Sequence, residues 1–146
     1  MKEVSILTKD LLLLKLFLLF LLVCHYVNFA QETYVPDNNF EAYLEANGMG
    51  NGVAADDYVT TANIENVTFL NISSKMIADI TGIEDFTALE TLDFSSNGVG
   101  VFDLSNNITL KELNCASNGM SSIDISANIN LEKLNCSDNS NITIDV

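Results

Sequence analysis

Wrapped at 21 residues, the second half of this chain falls into columns. Leu89, Leu110 and Leu131 share one column, and Leu92, Leu113 and Leu134 share the next. Phe94, Cys115 and Cys136 follow, then Asn97, Asn118 and Asn139. Further along the unit, Phe102 aligns with Ile123 and Ile144, Asp103 with Asp124 and Asp145, and Leu104 with Ile125 and Val146. Val99 matches Met120, with Asn141 in the third copy. Self-similarity at this period limits the chain to an architecture in which each unit buries its apolar side against the next.

The unit reads L-x-x-L-x-(C/F)-x-x-N-x-(V/M)-x-x-(F/I)-D-(L/I/V)-S-x-N. Leu113 and Cys115 are two apart, so on a strand both point inward, while Glu112, Asn114 and Ala116 point outward. A second period-2 pair, Phe102/Leu104 and its equivalents, predicts a short extended segment on the opposite wall. No room is left for a long helix.

This pattern resembles the leucine-rich repeat, whose signature is L-x-x-L-x-L-x-x-N/C-x-L. The repeat continues upstream with a slip of one residue: Val67, Leu70 and Ile72 stand 22 before Leu89, Leu92 and Phe94. The stretch "MIADITGIEDFTALETL" is similar to the 22-residue repeats of bacterial internalin-type proteins, although Lys75 occupies its asparagine position. The expected fold is an α/β repeat solenoid, a leucine-rich-repeat coil with short parallel strands, few helices and a small helical N-terminal cap. The expected divisions are a signal peptide over 1–30, the cap over 31–66, and repeats over 67–146 with about four strands.

The cap reading rests on "VPDNNFEAYLEANG". Phe40, Tyr43 and Leu44 have helical spacing, Asn38 and Glu41 are spaced as a capping box, and Gly48 supplies a stop. "GMGNGVAADD" reads as a loop, and "YVTTANIENVT" as a second short helix. The far end carries no such cover: Val146 falls within a repeat, an unpaired edge of a kind that native proteins avoid. The expectation is a piece of a longer array.

Leu11 to Val23 is apolar except at Lys15. It is shorter than the roughly 20 residues of a membrane span and suits the apolar region of an export signal, with cleavage near Ala30. From Gln31 onward there are three lysines, 18 acidic residues, no arginine and no histidine, a formal charge of −15. Such a surface repels phosphate backbones, which excludes nucleic acid as a partner. The lone histidine, His25, lies in the leader, so Ser-His and Cys-His catalysis have no base. No pair of carboxylates is set apart for glycoside hydrolysis. No catalytic residue and no cofactor are expected.

Asn97, Asn118 and Asn139 read as a structural ladder, bonding the buried backbone of adjacent turns. Cys115 and Cys136 stand about 5 Å apart if their strands are in register, within disulfide reach. Their side chains project in parallel, however, and Phe94 and Ile72 fill the same column, so they read as buried free thiols serving as apolar filler. One aspartate per turn (103, 124, 145) falls short of the six to eight ligands of calcium, and "GNGVAADD" lacks EF-hand spacing. No metal is expected. Five N-x-S/T triplets, at Asn66, Asn71, Asn107, Asn135 and Asn141, read as products of an Asn/Ser-rich repeat.

The strand face remains. It presents Phe69, Asn71, Thr91, Asp93, Ser95, Glu112, Asn114, Lys133, Asn135 and Ser137, small and polar apart from Phe69. The resemblance implies a non-enzymatic secreted or cell-surface protein, a monomer or part of a longer chain, that recognises a protein or surface glycan through this concave face. The alternative is a non-catalytic repeat appendage of a larger exported enzyme.

Overall fold

A computed structural model of the chain describes residue 15, residues 30–140 and residues 142–146. The expected signal peptide and the Asn141 position lie outside the described residues. Among the described residues, no helix is long and apolar enough to cross a membrane.

From Gln31 onward the chain forms one compact unit. Strand β1 (Glu32–Tyr34) pairs antiparallel with β2 (Tyr58–Thr60), and α1 (Asn38–Ala46) lies between them in sequence. Four short strands then stack in register and in parallel: β3 (Phe69–Asn71), β4 (Thr91–Asp93), β5 (Glu112–Asn114) and β7 (Lys133–Asn135). On the opposite wall β6 (Ser122–Asp124) pairs in parallel with β8 (Thr143–Asp145). The result is a solenoid of about four turns with a single α-helix among the described residues, the leucine-rich-repeat coil that the repeat implies.

The register follows from the leucine columns. Leu70 lies opposite Leu92, Leu92 opposite Leu113 and Leu113 opposite Leu134. With a side-chain period of two, a one-residue slip would turn every leucine outward. Leu70, Leu92 and Leu113 are buried with Ile72, Phe94 and Cys115. Phe94 meets Phe102 edge-on at 5.0 Å, which joins the two walls across the core.

The cap differs from its expected form in two places. Helix α1 is capped by Asp37, one residue before Asn38: its Oδ1 accepts from the backbone N–H of Asn39 and Phe40. Glu41 does not reach back to close a capping box, because it is drawn into the core, where Oε1 accepts from Asp56 N–H. The segment expected as a second short helix forms β2 and a single 3₁₀ turn, Thr61–Asn63. Its β-branched Val59 and Thr60 favour the strand that β1 completes.

The cap is fastened to the first turn by side chains. The second oxygen of Asp37 accepts from Ala78 and Asp79 N–H, and Asn39 donates to the Met76 carbonyl. Thr33 donates to Asp85 at 2.6 Å. Gly82 is required at this joint: it holds φ +101°, and a Cβ there would meet Val35 at 2.8 Å and the Tyr34 carbonyl at 2.9 Å.

Candidate functional site: the strand face

Each strand of the face carries three residues, the middle one buried on β3, β4 and β5 and half-buried on β7, with the flanking two facing outward. Phe69 and Asn71 stand on β3, Thr91 and Asp93 on β4, Glu112 and Asn114 on β5, and Lys133 and Asn135 on β7. These eight line one groove of about 360 Å³, floored by Leu92, Leu113 and Leu134. Ser95 and Ser137 lie just past the strand ends, outside the groove lining, yet bound to it by hydrogen bonds.

Those bonds divide the face into two columns of different character. In the column nearer the strand C-termini, Asn71 Oδ1 accepts from Ser73 N–H and hydroxyl. Asp93 does the same with Ser95, and Asn135 with Ser137. Asn114 accepts from Ala116 N–H, and its amide donates to Asp93 Oδ2 at 3.0 Å. This column is therefore occupied in closing the strand ends. The other column, Phe69, Thr91, Glu112 and Lys133, projects free of backbone duties.

Two ion pairs run along the coil axis, one on the face and one beside it. Lys133 bonds Glu112 one turn back at 2.5 Å, and Lys111 bonds Glu90 at 2.9 Å. The hydrogen bond to Glu112 raises the Lys133 pKa. Lys75, the remaining lysine from Gln31 onward, lies 5.6 Å from the Tyr43 ring centroid. Phe69 is 63% exposed and stands as the face's apolar contact point.

Beneath the face runs the asparagine ladder. Asn97 donates to the Ile72 and Phe94 carbonyls, and its Oδ1 accepts from Lys75 and Ile77 N–H of the preceding turn. Asn118 donates to Phe94, Cys115 and Ala116 and accepts from Val99 N–H. Asn139 donates to Cys115 and Cys136 and accepts from Asn118 and Met120 N–H. Each amide thus satisfies backbone groups of two turns, which would otherwise be buried unpaired.

A second ladder, which the sequence reading passed over, runs along the opposite wall. Asn107 donates to the Ile83 and Phe86 carbonyls, and Asn128 to those of Leu104 and Asn107. The signal was present: both end the S-x-N of the unit, 21 residues apart. At Asn107 the same position also begins an N-x-T triplet, Asn107-Ile108-Thr109.

Cys115 and Cys136 are free, the first buried and the second half-buried. Burial pushes the Cys115 thiol up to about 12, with the Cys136 thiol next to it adding to the rise. A thiol so placed is protonated at neutral pH and a poor nucleophile. Asp103, Asp124 and Asp145 are exposed, and the first two accept from Ser105 and Ser126 N–H. Bonds from Ser105 and Ser126 hold the Asp103 and Asp124 carboxyls below the usual range. Among the described residues, no group of three or more His, Cys, Asp or Glu is placed to hold a metal ion.

No family model and no curated protein matches the sequence. Solved structures do match. The functional domain of InlJ from Listeria monocytogenes, described as including a cysteine ladder, superposes with a TM-score of 0.64 and 29% identity. The match covers 79% of this chain and 25% of that one. An internalin (inlF) from the same species gives 0.67 and 28%, over 75% of this chain and 32% of the other. Internalin C2, at 16% identity and 0.51, shares the fold. The chain thus spans about a quarter to a third of the first two structures it matches.

Proposed function

We propose that this chain, an internalin-like leucine-rich-repeat coil, is an exported, non-enzymatic recognition module whose strand face engages a protein or a surface glycan. The observation that carries the reading is the groove itself. Four parallel strands bring eight outward side chains, separated by up to 66 residues in sequence, onto one continuous surface. Such a surface suits an extended, hydrated contact. Phe69, exposed among small polar residues, is the anchor, since aromatic side chains carry a disproportionate share of interface energy. Export is supported by the apolar run of Leu11 to Val23 and the acidic composition beyond it.

The test places a photo-crosslinking residue at Phe69 or Thr91 in the full chain, and in parallel at Asp103 or Asp124 on the opposite wall. Crosslinks to one partner from the first pair alone support the strand face; crosslinks from the second pair alone overturn it. N-terminal sequencing of the exported product should begin at Gln31.

A further inference from the structure

Four Asn-Gly dipeptides occur in this chain: Asn47-Gly48, Asn51-Gly52, Asn97-Gly98 and Asn118-Gly119. All four are chemically able to cyclise, because an unhindered glycine amide nitrogen can attack the asparagine side-chain carbonyl carbon. The fold treats them differently. Asn97 and Asn118 have both ends of their amides engaged by neighbouring turns. Gly98 N–H, the would-be nucleophile of its pair, is bound to the Ile77 carbonyl at 2.8 Å. Asn47 is turned backwards along α1, donating to the Tyr43 carbonyl, and Gly48 N–H is bound to the Glu45 carbonyl.

Asn51 is arranged the other way. Its Oδ1 accepts from Val53 N–H at 2.8 Å, an Asx turn. That ring folds the carboxamide back over the intervening peptide, whose nitrogen belongs to Gly52. Gly52 N–H in turn points at the Glu45 carboxylate, 3.2 Å from each oxygen, and Asn51 N–H holds Oε1 at 2.7 Å. The carboxylate can occupy this position only because residue 50 is glycine: a Cβ there would lie 2.0 Å from Glu45. The leaving nitrogen, Asn51 Nδ2, donates to Asp56 Oδ2 at 3.0 Å.

We propose that the cap loop is a built succinimide-forming site, with Asn51 and Gly52 as reactants and Glu45 as general base. Glu45 takes the Gly52 amide proton as the Gly52 nitrogen bonds to Asn51 Cγ. Val53 N–H stabilises the oxyanion that forms on Oδ1. The Cγ–Nδ2 bond then breaks, and ammonia leaves with the proton from Glu45. Water opens the ring at either carbonyl, giving aspartate or isoaspartate at position 51. Gly52 is exposed and Asn51 half-buried, so water has access. The product places a new carboxylate against Asp56, in a loop whose N–H groups already bind the Glu41 and Glu45 carboxylates of α1. Conversion thus loosens the cap while the repeats keep their own bonds.

The experiment incubates the full chain at neutral pH, folded and in urea, and maps deamidation at each asparagine by mass spectrometry. In the folded chain Asn51 should convert roughly a hundredfold or more faster than Asn47, the low end of what a positioned base supplies. In urea the four sites should converge, since the dipeptide is the same. Glu45→Gln should slow Asn51 in the folded chain only. An Asn51 rate in the folded chain below its own rate in urea overturns the proposal without recourse to any variant. A folded Glu45→Gln chain that converts at the unaltered rate overturns the role of the base.

Discussion

The two walls of the coil solve one problem with the same residue and unequal completeness. Along the strand side, Asn97 and Asn118 use both ends of the amide, donating to carbonyls and accepting N–H groups from the turn before. Along the opposite wall, the side chains of Asn107 and Asn128 donate, and their buried Oδ1 atoms meet no donor among the described residues. The charges differ too. The strand side pairs Lys111 and Lys133 with glutamates one turn away, whereas the opposite wall stacks Asp103, Asp124 and Asp145 with no salt bridge among the described residues. The strand side is therefore tied turn to turn by backbone, amide and ion pair. Beyond the β6–β8 backbone pairing, the opposite wall relies on apolar packing and half of an amide ladder.

The largest effect should separate the two ladders. Asn118→Ala should cost about 3 kcal/mol, because it leaves several buried backbone groups of two turns without partners. Asn107→Ala should cost less, about 2 kcal/mol, since two carbonyls alone lose a donor. Urea unfolding measures both, and an equal or reversed order would sink the comparison.

Next in size is a contrast within the strand side. Cys115, held protonated by burial, should resist alkylation in the native chain at neutral pH, while half-buried Cys136 reacts many-fold faster. The raised Cys115 pKa also means that folding loses stability as pH climbs above the ordinary value of 9.0 toward 12. Site-resolved mass spectrometry reads the two rates. Matching rates would mean that the coil opens at that turn.

Surface charge should matter less. Lys133→Ala removes an exposed ion pair and should barely move the unfolding midpoint, with any loss vanishing in high salt. Asp124→Asn, on the opposite wall, removes a carboxylate whose charged form the Ser126 bonds favour and should be neutral or faintly destabilising. A clear stabilisation by Asp124→Asn would show that repulsion from Asp103 outweighs its bonds to Ser126.

The smallest effect is the acid response of that wall. The Asp103 and Asp124 carboxyls are lowered in the fold, so their small contribution is present above about pH 4 and lost as pH falls through the folded values. Carboxyl titration by NMR should place both below the same residues in the urea-unfolded chain. Unshifted values would remove the serine bonds as an influence.

Legibility in the sequence followed periodicity. The leucine columns and the cysteine column could be read because one residue per turn performs one inward task, and the turns repeat that task every 21 residues. The cap has no repeat to read. Asp37 outcompeted Asn38 as the helix cap because its second oxygen also serves Ala78 and Asp79, about 40 residues away. Glu41 left the capping box for the same kind of reason, a contact with Asp56 that no local pattern announces. The candidate face was readable as alternation along each strand. Its division into an occupied Asn/Asp column and a free column was not, since Asn, Asp and Ser look alike whether they face a partner or their own strand end.

By itself, then, the sequence determined a coil, its register and its inward residues, because burying a period-2 and period-21 pattern admits one arrangement. The tertiary structure decided what repetition does not encode. It places Ser74, Ser96, Ser117 and Asp138 in the left-handed region at φ of about +56°, one per turn, and bonds to the following turn hold the three serines in a backbone that they do not choose alone. It also made one Asn-Gly of four reactive, because the position of Glu45 beside Gly52 arises only when helix and loop have packed.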